Sequence, residues 1–209
     1  MKGFYHSMLT NYDLLFGINT SNRGRYQNKH QQYFPYEGTP YLHLQQLFAA
    51  FPLSPTDHLI DIGSGKGRLL FYAHYHFKCR VTGVEINEQL QRIAQQNKHQ
   101  YFKKHPGENS IISLVHQRAE LYDIPPTGNV FYLFNPFSLE IFESLMTRIS
   151  QSADKDPRDI SLILYYPKEE YREFLQKQTN FQLLEKVDIP GISAINPQEC
   201  FKIYRRLRY

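Results

Sequence analysis

From residue 58 onward, short apolar runs alternate with longer stretches in which apolar residues recur at helical spacing. The runs at 58–62, 79–84, 111–115, 129–134 and 160–165 read as strands. The stretches at 66–77, 87–104, 138–149 and 168–178 read as helices. Asn87 and Ser138 stand where N-caps belong, and Pro106-Gly107 closes the second helix. The connection from 115 to 129 carries Pro125-Pro126 and reads as a loop; polar 151–158 reads as a linker turn. Strands at 181–188 and 199–206 have no helix between them, so they pair as an antiparallel hairpin. Strands alternating with helices of this length make an α/β protein with a doubly wound, mostly parallel sheet of seven strands.

The first part of the chain has a different texture. Residues 7–16 carry apolar positions at helical spacing, with Gly17 as the stop. Residues 19–32 are polar and weakly basic and read as a loop, before the aromatic run Tyr33-Phe-Pro-Tyr36. A helix follows over 41–51, ended by Pro52 and Pro55. The expected division is an N-terminal helical and loop segment, 1–38, able to fold back as a lid over the sheet tips, and one nucleoside-binding domain, 39–209.

Composition narrows the class. At 209 residues the chain can bury one sizeable core. A net charge of +4 permits an anionic partner without demanding one. Cys79 and Cys200 lie far apart in apolar runs, as reduced core thiols do. There is no run of about 18 apolar residues for a membrane span. The expectation is a soluble, cytoplasmic protein without membrane attachment; oligomeric state is not legible.

The chemistry concentrates at Asp61-Ile-Gly-Ser-Gly-Lys-Gly67. Glycines at 63, 65 and 67 let a strand-to-helix turn pass close to a ligand. Glu85 ends the next strand, where an acid meets a ribose in dinucleotide-binding sheets. A dinucleotide fingerprint would place its third glycine at Arg68, and Lys66-Gly67-Arg68 is no phosphate-binding loop. Asp61 would repel a diphosphate but attract a cation.

Asp61–Gly67 resembles the first motif of the Rossmann-type, or class I, S-adenosylmethionine-dependent methyltransferases. Val84-Glu85-Ile86 resembles their second motif and Phe134-Asn135-Pro136-Phe137 their fourth. Thr39-Pro40 and Gly63–Arg68 are most similar to the protein-lysine methyltransferase branch. The resemblance implies a Rossmann-like methyltransferase fold and S-adenosyl-L-methionine as cofactor. It implies that Asp61 and the loop Gly63, Ser64, Gly65 and Gly67 hold the methionine part. Glu85 would take the ribose hydroxyls and Ile86 the adenine face. Gln117-Arg118-Ala119-Glu120 matches the adenine-amino segment, with Arg118 where an Asp is common, so Glu120, Gln117 or the backbone serves there. Asn135 and Pro136 would line the methyl exit. Asn135 and Tyr36 are the candidates for acting on the acceptor, a nitrogen or oxygen of a protein or small molecule. The single proline and Phe137 depart from the Asn-Pro-Pro-Tyr form of adenine and amide methylases.

Other features read more plainly. His74 and His76, two apart on a helix, face different ways and suggest no metal site. Arg205, Arg206 and Arg208 read as a solvated strand end. Two alternatives stay open at this point. One is a nicotinamide-dependent oxidoreductase. The other is a non-catalytic module binding protein, or RNA through Arg23, Arg25, Lys29 and the C-terminal arginines.

Overall fold

The computed structural model describes residues 11–21, 32–106 and 111–208. Seven strands form one sheet: β1 (His58–Ile62), β2 (Arg80–Glu85), β3 (Ile112–His116), β4 (Val130–Phe134), β5 (Ile160–Tyr165), β6 (Gln182–Asp188) and β7 (Cys200–Arg206), in the order β3-β2-β1-β4-β5-β7-β6. The first five run parallel. β7 is antiparallel to both β5 and β6, so it is the hairpin strand that opposes the rest.

Side-chain alternation along the strands divides the core in two. Leu59, Tyr132, Tyr165 and Phe201 face α1 (Tyr12–Phe16), α2 (Tyr41–Ala50) and α3 (Arg68–Phe77). Ile60, Ile62, Phe131 and Leu133 face α5 (Leu139–Lys155) and α6 (Glu169–Gln178). On that second face Phe142 and Tyr171 stack with centroids 3.9 Å apart, and the Tyr171 hydroxyl donates to the Phe137 carbonyl at 2.6 Å. α4 (Glu88–Lys104) completes the helices; its Tyr101 packs into the first face.

Helix ends follow local chemistry, with some departures from expectation. Asn87 caps α4, accepting from Gln89 N and Leu90 N. Gly17, at φ 72°, closes α1; residues 7–10 of the expected first helix lie outside the described residues. α3 begins at Arg68, not 66, because Gly67 is left-handed at φ 85°. The segment 151–158 is not a linker turn. α5 runs through to Lys155, since Ile149 and Ala153 lie one turn apart and both are buried. It stops at Asp156, which Pro157 holds out of the helical region. Ser138 precedes α5 without a side-chain cap bond.

The C-terminal arginines are not uniformly solvated either. Arg206 is buried and its guanidinium pairs with Asp154. Among the described residues no helix is long and apolar enough to cross a membrane. His74 is bonded to the Tyr101 hydroxyl at 2.8 Å, and His76 packs against Tyr72.

Candidate functional site

The carboxyl ends of β1, β2, β4 and β5 open on one rim, and the chemistry-bearing residues gather there. In an open α/β sheet this is where ligands sit. The β1–α3 turn holds Gly63, Gly65 and Gly67 at φ 83°, 54° and 85°. All three are also closely approached, Gly67 by the Phe71 ring. A Cβ on Gly63 would come 2.8 Å from Pro136, and one on Gly65 would overlap the Tyr36 ring.

Glu85 closes this loop from β2. Its carboxylate is buried and accepts from Gly65 N at 2.8 Å and from Asn87 N at 2.7 Å. Asp61 is buried on the neighbouring strand. Burial raises its pKa well above the usual carboxylate value, and the Glu85 charge adds to the shift. Burial also raises that of Glu85, against backbone donors that favour its charge. Two buried acids side by side disfavour each other's ionisation, and a bound cation would relieve both.

The segment 32–38 straps across this rim. Phe34 N donates to Pro136 O and Ser138 N to Gln32 O, both at 2.9 Å, and Tyr33 bridges Phe137. Arg68 ties the same strap to α3. Its Nη1 reaches the carbonyls of Gly38 and Thr39, its Nε the Thr20 hydroxyl and its Nη2 Ser21. Beneath the strap, Thr39 bonds the Tyr132 hydroxyl at 2.6 Å, next to Asp61 in the register of β1 and β4.

Two spaces flank Tyr36. A narrow cleft of about 60 Å³ runs past Glu85, Ile86, Gln117 and Ala119. An open cavity of about 880 Å³ lies on the other side, lined by Asn135, His43, Tyr165, Tyr166, Glu37 and Glu199, among others. Phe34, Pro35, Tyr36, Glu37 and Phe134 line both. The Tyr36 hydroxyl donates to the Thr20 carbonyl at 3.1 Å.

Asn135 and Tyr166 hold left-handed backbone, φ 40° and 52°, at the tips of the paired strands β4 and β5. Non-glycine residues there carry strain of about 1–3 kcal/mol, which recurs at functional sites. The Asn135 Oδ1 is buried and has no hydrogen-bond partner among the described residues, an acceptor open to a donor. The Ser64 hydroxyl is likewise buried and unpartnered.

The expected residues Asp61, Gly63, Ser64, Gly65, Gly67, Glu85, Ile86, Ala119, Asn135, Pro136 and Tyr36 thus share this rim. Arg118 differs. Its exposed guanidinium pairs with Glu120 instead of lining the cleft. Glu120 is also held by the Tyr33 hydroxyl at 2.5 Å, and Tyr33 in turn accepts from Ala119 N. Burial opposes ionisation of Glu120, yet these donors outweigh it and its pKa falls. Gln117 and the Ala119 backbone remain on the cleft. Sequence reading did not find His43, Tyr165 or Glu199. The tyrosine pair at the end of β5 was the available signal, since a strand tip in this fold faces the ligand rim.

Comparison with known proteins gives the same picture. The family model described as "Histone methylation protein DOT1" matches residues 21–109. A histone-lysine N-methyltransferase specific for H3 lysine 79, from Dictyostelium discoideum, is 33% identical over 104 residues. That match takes in 45% of this chain and 6% of the relative, so the chain spans a small part of that protein's length. Among solved structures, an RNA methyltransferase from Salinibacter ruber, in complex with S-adenosyl-L-homocysteine, superimposes with a TM-score of 0.56 at 16% identity. That superposition covers 81% of this chain and 92% of the other. An S-adenosylmethionine-dependent methyltransferase from Geobacter sulfurreducens, with the same ligand, gives 0.55 at 14% identity over 82% and 92%. The chain thus has a Rossmann-like fold, the one these methyltransferase structures share.

Proposed function

We propose that this chain is an S-adenosylmethionine-dependent methyltransferase acting on an amine of a protein acceptor. The observation that carries the reading is the glycine turn held between two buried acids, Asp61 and Glu85. A nicotinamide dinucleotide would bring a diphosphate to the glycine turn beside Asp61; S-adenosylmethionine carries no phosphate, and its sulfonium and ammonium outnumber its one carboxylate. The orphan Asn135 oxygen and the glycine positions that admit no Cβ also fit such a ligand.

On this reading Asp61 and residues 63–67 hold the methionine part, and Glu85 the ribose. Ile86 and the Gln117–Ala119 segment hold the adenine, through backbone and Gln117 and without the Arg118 side chain. When bound, the cofactor supplies a methyl group already activated on sulfur. The protein's own task is then to align the acceptor and exclude water. Asn135 accepts a hydrogen bond from the acceptor N–H, and Tyr36, which borders both spaces, positions the acceptor against the cofactor's methyl group. The strap 32–38 lines the narrow cleft and is placed to act as a lid over a bound ligand.

The acceptor cavity supports an amine. It combines aromatic walls from Phe34, Tyr36, Phe134 and Tyr165 with the carboxylates Glu37 and Glu199. The family match and the histone-methylating relative support a protein as its carrier. Two buried thiols, Cys79 and Cys200, support residence in a reducing compartment such as the cytosol. Arg23, Arg25 and Lys29, the basic residues of the RNA-docking alternative, lie outside the described residues, and Arg206 is committed to Asp154.

Incubation with methyl-tritiated S-adenosylmethionine and a panel of lysine-rich proteins, histones included, tests the reading. Label in lysine is expected, with kcat reduced about 100-fold in Asn135→Ala and cofactor affinity little changed. A folded protein that binds cofactor but labels only nucleic acid would overturn the protein acceptor.

A further inference from the structure

A hydrogen-bonded chain, buried at His43 and Tyr165 and half-buried at Glu199, runs along the wall of the acceptor cavity. It joins three segments far apart in sequence: His43 on α2, Tyr165 at the tip of β5, and Glu199 just before β7. The Tyr165 hydroxyl donates to Glu199, and its oxygen lies 2.6 Å from Nδ1 of His43. A phenol has one proton. Once that proton is given to Glu199, the oxygen can only accept from the imidazole. Nδ1 therefore carries the hydrogen and Nε2 keeps its lone pair. The geometry is held firmly. The Tyr165 ring packs between Phe134 and Phe201 with centroids 4.5 and 4.6 Å away, and against His43 at 5.7 Å. His43 lines the same cavity as the unpartnered Asn135.

We propose that Nε2 of His43 takes the proton from the acceptor amine in this cavity, with Tyr165 and Glu199 fixing the tautomer and stabilising the imidazolium. The proposal rests on the methyltransferase reading above and adds the base that reading lacks. An alkylammonium has no lone pair with which to attack. In the step, one N–H bond of the ammonium breaks and its electron pair stays on the amine nitrogen. The proton forms a new N–H bond at Nε2, and the Glu199 carboxylate balances the charge through Tyr165. The cavity is open, so the proton leaves to solvent afterwards. The arrangement is a base oriented by a second group, which is what proton abstraction requires.

The ionisable groups facing the cavity set the pH at which this works. They are Glu199 beyond Tyr165, Glu37 and Tyr36 from the strap, Arg68 from α3, and Tyr166 after β5. Burial lowers the His43 pKa, and the Glu199 charge partly restores it. The imidazole is thus neutral and competent near pH 7, and loses its capacity only in more acid solution than an ordinary histidine would.

The test is nitrogen NMR on the full chain, ¹⁵N-labelled at histidine and saturated with S-adenosylhomocysteine, with n-butylamine as the acceptor probe at fixed pH. His43→Gln assigns the resonance. The expected result is an Nδ1–H tautomer at pH 7.5, titrating below 6.5, whose Nε2 shift moves on adding butylamine. Glu199→Gln, as folded as wild type by circular dichroism, should lower that pKa further and mix the tautomers. His43→Gln should bind S-adenosylhomocysteine within about twofold of wild type while losing methyl transfer by about 100-fold or more. An Nε2–H tautomer, or an Nε2 shift unmoved by 100 mM butylamine, overturns the proposal. Failure of the folded wild type to bind S-adenosylhomocysteine would instead overturn the methyltransferase reading beneath it.

Discussion

On the proposed reading, Asp61 is the residue that selects the ligand's charge. Its pKa is raised by burial and by Glu85, so in the free protein it is partly protonated over a range where an ordinary carboxylate is fully ionised. A cationic ligand favours the ionised form, so binding expels a proton. Affinity for S-adenosylmethionine should therefore rise with pH through the Asp61 range and level off once Asp61 is ionised. Titration calorimetry in buffers of different ionisation enthalpy should register the released proton. Asp61→Asn should bind more weakly and lose the pH dependence; an unchanged dependence would move the proton to another group. The glycine turn and both acids were legible in sequence because they lie within one strand-turn-helix unit and the next strand tip. His43, Tyr165 and Glu199 were not, because only the closed sheet brings residues 43, 165 and 199 together.

At the scale of elements, the strap matters most. Residues 32–38 hold to the β4–α5 loop by backbone pairing and to α3 through Arg68. Arg68→Met removes the guanidinium's bonds to Thr20, Ser21, Gly38 and Thr39 while keeping much of the stem. Such a loss is worth about 2 kcal/mol, so amide exchange in 32–40 should quicken roughly 30-fold. Hydrogen-exchange mass spectrometry reads this directly; unchanged protection would mean that the loop contacts alone hold the strap. Gly65→Ala tests the same contact from below. Its Cβ would enter the Tyr36 ring at a φ of 54°. Displacement of the strap and weaker cofactor binding are expected, visible as faster exchange at 33–37 with the rest of the sheet unchanged. The strand and helix pattern from 58 onward announced most elements, because alternation and helical spacing are local signals. The end of α5 was misread because Gln151–Lys155 is polar apart from Ala153, and burial of that small residue shows only in the packed structure.

For the whole molecule, the sheet order and the reversed β7 define a platform whose carboxyl rim gathers the candidate site residues, with cores packed on both faces. The rim should tolerate loss of stability elsewhere. Phe142→Ala removes a fully buried ring stacked on Tyr171. It should cost about 3–5 kcal/mol in urea unfolding while leaving ligand affinity, measured well below the transition, within about twofold. A large affinity loss would show that the far face and the rim are coupled. The central claim is that this rim binds a phosphate-free, cationic nucleoside. Calorimetric titration of the folded wild type with S-adenosylmethionine, S-adenosylhomocysteine and NAD, repeated on Glu85→Ala, tests it most directly. The account predicts one saturable site for the first two, none for NAD, and affinity lowered at least tenfold in the variant. Saturable binding of NAD, or no binding of either adenosyl ligand by folded protein, would contradict it.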